Sequence, residues 1–240
     1  MIGVILAAGM ARRLRPLTDN MPKCLLTING RTLLERTVDA MRQAGISEFV
    51  VVTGYHAEMV KVRLEEYAST TDVTFHFIDN TDFEHNNNIY SLWLAGEVVE
   101  GKDFLLMDSD ILCEPSAVVC ISRQKESALA VNRHELGDEE VKVIVDEDGN
   151  ITEISKVCDP KTAVGESVGI ERITASYSKA LYAELKEMIE KEGLINVFYE
   201  QAFERLVHKG YTFKMVDTTE FFSFEIDTVE DYHYAQTISI

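Results

Sequence analysis

The chain has 240 residues, of which 46% are hydrophobic and 27% are charged, a composition typical of one compact α/β domain. Its formal net charge of -18 disfavours a nucleic-acid backbone or an anionic membrane as the main partner. No apolar stretch reaches membrane-spanning length, and the N-terminus lacks the basic segment of a signal peptide. We therefore expect a cytoplasmic protein that binds neither nucleic acid nor a membrane.

The first half of the chain alternates strand-like and helix-like segments. Such alternation predicts an α/β fold with a mainly parallel sheet and helices on both of its faces. The first helix has a capping box formed by Thr32 and Glu35, and Gly45 marks its end. In chain order, we predict strands at 2–7, 49–53, 73–78 and 103–108, and helices at 33–44, 57–67 and 89–99.

The second half begins with β-rich segments that predict a small antiparallel excursion from the parallel core. The segment Asp148-Gly149-Asn150 is a turn signal between two of its strands. We find no low-complexity linker and no repeat, so we expect one domain over residues 1–240. The predicted strands are 128–132, 141–145, 151–156, 168–173, 213–216 and 221–226, and the predicted helices are 178–192, 197–208 and a closing helix from Thr228.

Cysteine and histidine spacing gives no sign of a disulfide framework or a zinc site. No C-x-x-C pair occurs, and no two histidines are spaced as ligands on one helix. Buried, unreactive thiols in a reducing cytosol are the better interpretation. The four cysteines are Cys24, Cys113, Cys120 and Cys158.

The strongest functional signal is the run LAAGMARRLRPLT at 6–18, continued by MPKCL at 21–25. A buried strand leads into a loop of small residues, whose amide groups can approach phosphate oxygens closely. Arg13 and Lys23 then supply fixed positive charges where a triphosphate would lie. Taken singly, each part is also compatible with an ordinary strand exit or with solvated cations, so the prediction depends on their joint spacing.

A second signal is acidic. Asp108 and Asp110 follow a predicted strand, and Asp227 precedes the closing helix. Carboxylates from distant strand ends can hold a hard divalent cation, which offsets the negative charge of reacting phosphates. The alternative is that these residues are ordinary helix N-caps, and for Asp227 that alternative is strong.

These motifs resemble the signature of nucleotidyltransferases that make sugar nucleotides and related activated head groups, approximately L-A-A-G-x-G-[ST]-R-L-x-P-L-T-x-x-x-P-K-x-L. The chain departs from this pattern at Ala11, where Gly is more frequent, and at Arg12, where Ser or Thr is. The resemblance implies the nucleotide-diphospho-sugar transferase fold, catalytic roles for Arg13 and Lys23, and Mg²⁺ bound by Asp110 and Asp227. It also implies a Rossmann-like mixed, mainly parallel sheet. Nucleotide binding is expected of Leu6, Ala7, Ala8, Gly9 and Asp108, and Asp108 is also a looser candidate for a place near the metal.

Within this family, the chain is most similar to the bacterial choline-phosphate cytidylyltransferases. The run NNNIYSLW at 86–93 and the ending EIDTVEDY at 225–232 carry this similarity. It implies that CTP is the nucleotide, and that Lys156 binds the acceptor phosphate. Asn87, Asn88 and Ser91 are expected to read the base or ribose, although such residues also cap helices. The nucleotide-binding part would be about 1–125 and the acceptor-binding part about 126–240.

The acceptor is predicted to be a small phosphorylated amine, with choline phosphate first, 2-aminoethylphosphonate close behind and a sugar 1-phosphate next. Aromatic and acidic residues of the second half could surround an ammonium group, although the aromatic ones could equally belong to the core. Together with Lys156, the predicted acceptor-binding residues are Glu166, Tyr177, Tyr199 and Glu200.

An acceptor phosphate oxygen would attack the α-phosphorus in line, and pyrophosphate would leave without need of a general base. A dehydrogenase is disfavoured, since the first loop has one glycine instead of G-x-G-x-x-G. A non-catalytic nucleotide sensor remains an alternative of another class. The chain is expected to be a monomer or homodimer.

Overall fold

The structure is a computed structural model that describes residues 1–138 and 140–239. Its strands are β1 Ile2–Ala7, β2 Thr27–Ile28, β3 Arg31–Thr32, β4 Glu48–Thr53, β5 Thr74–Asp79, β6 Phe104–Asp108, β7 Ile111–Cys113, β8 Ala128–Asn132, β9 Lys142–Val145, β10 Ile151–Ser155, β11 Gly165–Ile173, β12 Lys214–Asp217 and β13 Ser223–Glu225. Its helices are α1 Leu33–Gln43, α2 Ala57–Ala68, α3 Asn88–Val99, α4 Pro115–Ser122, α5 Ala175–Lys186, α6 Glu200–His208 and α7 Val229–Ala235, with a π-helical segment at Glu187–Lys191. Among the described residues, no helix has the length and hydropathy needed to cross a bilayer.

The centre of the sheet is parallel. Strand β1 pairs with β4 on one side and β6 on the other, and β5 extends the parallel part beyond β4. The chain runs from β1 through β4 to β5 on one side of β1 and then crosses to β6 on the other side. Because the strand order reverses at β1, the carboxyl ends of β1 and β6 border a crevice. The register places Leu6 opposite Asp108, so the loop after β1 begins beside the first of the predicted acidic residues.

Both faces of the sheet are buried, which explains why β1 is apolar throughout. Val4 and Leu6 face a cluster that contains residues of α3, α5 and α6. Ile5 and Ala7 face the opposite cluster, which contains residues of α1, α2 and α4. The predicted mainly parallel sheet with helices on both faces is confirmed.

An antiparallel part continues the sheet. Strand β11 pairs with β6, β8 and β9, and β9 and β10 form a hairpin. Asp146 organises the hairpin turn, since its carboxylate accepts the backbone N–H groups of Asp148 and Asn150. Gly149 adopts a φ of 75° there, which favours glycine. The predicted turn and antiparallel excursion are therefore present, and one sheet joins strands from both parts of the chain.

The structure shifts several predicted boundaries. Helix α5 begins earlier than predicted because Thr174 caps it by accepting a hydrogen bond from the Tyr177 N–H. Helix α6 begins at Glu200 instead of 197, so the residues just before it are free to line a cavity. Periodicity also missed β2, β3, β7 and α4, which have too few residues for a reliable pattern.

Replacing Thr32 with alanine is expected to lower the free energy of unfolding by about 1 kcal/mol. The Thr32 side chain accepts a hydrogen bond from the Glu35 N–H, and the Glu35 carboxylate accepts one from the Thr32 N–H, which completes the predicted capping box. Urea denaturation would measure the loss. The exposed variant Thr70→Ala is the control and should change stability by less than about 0.5 kcal/mol; an equal loss in both variants would contradict the prediction.

Candidate active site

A cleft of about 340 Å³ lies at the carboxyl ends of β1 and β6. It contains both predicted cations and every residue predicted to bind the nucleotide or metal. It is lined by Leu6, Ala7, Ala8, Gly9, Ala11, Arg13, Pro22, Lys23, Cys24, Asn80, Phe83, Asn86, Asn87, Asn88, Ser91, Asp108, Ser109, Asp110, Phe198, Glu225 and Asp227.

The loop after β1 is held by the segment that follows β4. The Tyr55 N–H donates to the Ala8 carbonyl, and the Tyr55 hydroxyl donates to the carbonyls of Thr18 and Asp19. A Cβ atom at Gly54 would lie 2.7 Å from the Ala8 carbonyl oxygen, so the absence of a side chain allows this close packing. Sequence inspection missed both Gly54 and Tyr55, because neither belongs to the loop motif that they support.

The structure explains the first departure from the family pattern. Ala11 has a φ of 44°, a left-handed conformation that glycine adopts without the steric cost of a Cβ atom. Its carbonyl accepts a hydrogen bond from the Thr18 hydroxyl, which ties the two ends of the loop together. Alanine therefore keeps the loop geometry expected of glycine.

Lys23 lies at the centre of the charged part of the cleft. Its Nζ atom is 2.9 Å from Asp110 Oδ2 and 2.7 Å from Asp227 Oδ1. Burial lowers the pKa of Lys23, but the two carboxylates outweigh burial and raise the pKa above its ordinary value. Arg13 is more exposed and reaches Asp227 Oδ2 at 2.6 Å. The two cations therefore converge on one carboxylate.

Three carboxylates form a group with the geometry of a metal site. Oxygen atoms of Asp110, Glu225 and Asp227 lie within 4.8 Å of one another, and such hard oxygen ligands fit Mg²⁺. Pairing of β13 with β7 creates the group, since the Ile226 N–H donates to the Asp110 carbonyl. Sequence inspection missed Glu225, although its two-residue spacing from Asp227 in an extended segment was a usable signal.

The closing helix does not use Asp227 as its cap. Thr228 caps α7, and its side chain accepts a hydrogen bond from the Asp231 N–H. The Asp227 carboxylate is thus available to the cleft. Burial raises the pKa of Asp227, but the positive charges of Lys23 and Arg13 outweigh burial, so the pKa of Asp227 lies below its ordinary value. The pKa of Glu225 is raised to about 8, by burial and by the carboxylates of Asp110 and Asp227.

The polar residues at the start of α3 both cap the helix and line the cleft. The Asn87 side chain caps α3 by accepting from the Asn88 N–H, and Asn88 Oδ1 accepts the Tyr199 N–H. Behind them, Asn80 donates to the Ser91 hydroxyl at 3.1 Å and to Asn86 at 2.8 Å. Asn80 was not predicted, because a lone asparagine after a strand is a common turn residue, whereas Asn86 opens the asparagine-rich run that the sequence analysis singled out.

A smaller cavity of about 110 Å³ adjoins the cleft, and we call it the acceptor chamber. Three of the predicted acceptor-binding residues, Lys156, Glu166 and Glu200, line it. Lys142 fixes the backbone of Lys156, since its buried ammonium group donates to the Lys156 carbonyl at 2.8 Å. The full lining is Asn88, Asp108, Asp110, Ile111, Val141, Lys156, Glu166, Ser167, Val168, Gly169, Phe198, Glu200 and Glu225.

Two predicted acceptor-binding residues do not line this chamber. Tyr177 packs in the core, with its ring stacked 5.2 Å from that of Phe213, so its assignment is wrong and the alternative of a core aromatic holds. Tyr199 is also fully buried, and its hydroxyl lies 3.0 Å from Asp108 Oδ2 and 3.3 Å from Glu171 Oε1. Tyr199 therefore holds Asp108 through a hydrogen bond instead of touching an acceptor.

The two carboxyl groups beside the Tyr199 hydroxyl have raised pKa values. Burial is the larger cause and repulsion from nearby carboxylates the smaller, and together they raise the pKa of both Asp108 and Glu171 well above their ordinary values.

Glu200 is a buried carboxyl group at the first residue of α6. It is 8% exposed, and its Oε2 atom has no hydrogen-bond partner among the described residues. Burial raises its pKa from 4.5 to about 7, and a hydrogen bond from its own backbone N–H and the nearby charge of Lys156 only partly oppose this. Such a group costs stability whenever it is ionised.

Glu200→Gln is expected to stabilise the chain, and more at pH 8 than at pH 5.5. Because the folded pKa lies above the unfolded one, the folded state binds more protons, and wild-type stability falls as pH rises from about 4.5 to about 7. The gain at pH 8 is at most about 3 kcal/mol. Urea denaturation at both pH values would measure it, with the exposed Glu65→Gln as control. A gain that does not grow with pH would contradict this explanation.

Residues 3–205 match the family described as MobA-like NTP transferase domain. The chain belongs to this family, which confirms the predicted relationship to nucleotidyltransferases. The fold is also shared with solved structures: a CTP:phosphocholine cytidylyltransferase from Streptococcus pneumoniae superposes with a TM-score of 0.82 at 20% identity, over 98% of each chain.

Curated relatives include several cytidylyltransferases. A CTP:phosphoglutamine cytidylyltransferase from Campylobacter jejuni is 30% identical over 139 residues, which are 55% of this chain and 53% of the relative. A choline-phosphate cytidylyltransferase from Streptococcus pneumoniae is 34% identical over 110 residues, 46% of this chain and 44% of the relative. A CMP-5'-(3-aminopropyl)phosphonate synthase from Streptomyces rubellomurinus is 25% identical over 97% of this chain and 38% of the relative. The chain spans about half the length of the first two relatives.

Proposed function

We propose that the chain transfers a cytidylyl group from CTP to a phosphoryl or phosphonyl oxygen of a small amine, such as choline phosphate or 2-aminoethylphosphonate, and releases pyrophosphate. The observation that carries this proposal is the contact of Lys23 with both Asp110 and Asp227 at the end of a cleft that begins at the small-residue loop. The relatives named above support cytidine as the base and a phosphorylated amine as the acceptor.

In this reaction, an acceptor oxygen forms a bond to the α-phosphorus, and the bond from that phosphorus to the bridging oxygen of pyrophosphate breaks. A phosphate or phosphonate oxygen is already nucleophilic at neutral pH, so positioning and charge neutralisation provide the catalysis. Lys23 and Arg13 neutralise charge on the reacting phosphates, and the loop from Ala8 to Ala11 holds the nucleotide. The acceptor enters from the chamber that opens beside Asp110.

We further propose that Mg²⁺ is the cofactor. Asp110, Glu225 and Asp227 would hold it, because their carboxylate oxygens already lie close enough to share one ion. When bound, the ion supplies positive charge for the phosphates of CTP. Lys23 contacts two of the same carboxylates, so its ammonium group balances part of their negative charge.

Pyrophosphate release, measured with each of the four nucleoside triphosphates, Mg²⁺ and a panel of phosphorylated amines and sugar 1-phosphates, tests the proposal. We expect release with CTP and at least one amine, and little with the other nucleotides or the sugars. Binding of CTP without pyrophosphate release for any acceptor would contradict the proposal and indicate a nucleotide sensor.

We also propose that the reaction takes place in the cytoplasm. The four cysteines are free thiols, which are compatible with a reducing compartment.

A further inference from the structure

The acceptor chamber is strongly acidic for a cavity that must receive a phosphorylated compound. Of its titratable lining residues, five are carboxylic acids and one, Lys156, is a cation. Asp110 and Glu225 belong to the proposed metal site, and Asp108 is near the Tyr199 hydroxyl. Glu166 and Glu200 are the carboxyl groups of the lining that take part in neither of these arrangements.

Of these two residues, Glu200 is the one with a carboxyl oxygen that lacks a hydrogen-bond donor among the described residues. Glu166 contacts His134 Nε2 at 2.7 Å, whereas Glu200 Oε2 is buried without a hydrogen-bond partner among the described residues. Leaving a buried acceptor unpaired destabilises the folded protein, and more strongly when the acceptor is charged. An N–H donor supplied by the acceptor would satisfy it.

The aromatic content of the chamber is also informative. A quaternary ammonium group has no N–H donor and is bound mainly by the faces of aromatic rings. Phe198 is the only aromatic residue in the described lining of the chamber, and the Lys156 ammonium group lies 4.8 Å from its ring centroid. A trimethylammonium group would have to displace a like charge from that ring.

We propose that the chamber selects an acceptor whose amine carries N–H groups, and that Glu200 determines this selectivity by accepting a hydrogen bond from the ammonium group. A trimethylammonium acceptor such as choline phosphate is correspondingly a poor substrate. This inference rests on the proposed cytidylyl transfer and narrows its acceptor. It reverses the order of acceptors that the sequence resemblance implies.

The test compares acceptors that differ only in N-methylation: 2-aminoethyl phosphate, its N-methyl and N,N-dimethyl derivatives, and choline phosphate, each with CTP and Mg²⁺. We expect kcat/KM to decrease along the series, with a difference on the order of 10² or more between the first and last compounds. In Glu200→Gln, kcat/KM for the primary amine should fall at least about tenfold while the KM for CTP stays unchanged. The ratio between primary amine and choline phosphate should shrink as well.

Glu204→Gln, on the same helix but outside the lining of the chamber, is the matched control and should keep the wild-type ratio. If choline phosphate reacts as well as the primary amine, or if Glu200→Gln keeps the wild-type ratio, the selectivity is refuted while cytidylyl transfer stands. Absence of turnover with every acceptor would refute both, which distinguishes the two failures.

Discussion

Replacing Lys23 with alanine is expected to lower kcat for pyrophosphate release by a factor on the order of 10³. The side chain is 8% exposed and contacts both Asp110 and Asp227, whereas the more exposed Arg13 forms an ion pair with only Asp227 of these two carboxylates. A cation held in a cleft with little solvent stabilises charge on the transferred phosphate far more than it would in water. Steady-state kinetics at saturating CTP and Mg²⁺ would measure the loss.

Removing Lys23 also leaves Asp110 and Asp227 facing each other without their shared cation, which costs stability. Kinetics must therefore be paired with thermal unfolding in Mg²⁺, where the ion can offset the repulsion. Lys125→Ala, at an exposed position between α4 and β8, is the control and should keep wild-type turnover. A folded Lys23→Ala protein with near-normal kcat would remove Lys23 from the mechanism.

Asp227→Asn should have the second largest effect, with kcat reduced on the order of 10² and the Mg²⁺ concentration for half-maximal activity raised at least about tenfold. This carboxylate belongs to the proposed metal group and also pairs with Lys23 and Arg13. Its replacement therefore weakens metal binding and releases both cations. Titration of activity with Mg²⁺ would show the two effects separately.

Calorimetric titration of the protein with Mg²⁺ and CTP provides a readout that does not depend on turnover. Asp72→Asn, exposed just before β5, is the control and should bind and react as the wild type does. An unchanged Mg²⁺ requirement in Asp227→Asn would exclude this residue from the metal site, even if kcat fell because Lys23 and Arg13 were released.

Local sequence patterns predicted most of the fold. The apolar run of β1 and the helical periodicity of α1 and α2 depend on neighbours within a few positions, so their predicted bounds agree with the structure to within one or two residues. Short elements such as β7 were missed because three residues cannot show a period. That omission mattered, since β7 positions the strand that carries Glu225.

Some residues of the candidate site were likewise predicted from local sequence patterns, and others were missed or misassigned. The motif residues Lys23, Asp110 and Asp227 were predicted together and do converge. Tyr177 was misassigned because an aromatic residue in a mixed segment has the same local signature whether it faces a cavity or the core. Glu225 was overlooked because its importance depends on the pairing of β13 with β7.

The order of residues along the chain was sufficient to establish the family, the alternation of strands and helices, and the small-residue loop with its cations, because each depends on residues close together in sequence. The tertiary structure alone decided that Lys156 lies over Phe198 and that Glu200 Oε2 is buried without a hydrogen-bond partner among the residues that the structure describes. The residues involved come from β11, the segment after β10 and the start of α6. These segments are far apart in sequence, so only tertiary packing brings them together. The proposed acceptor selectivity therefore depends on the assembled chamber, whereas the loop with its cations, which we propose holds the nucleotide phosphates, lies in one continuous segment.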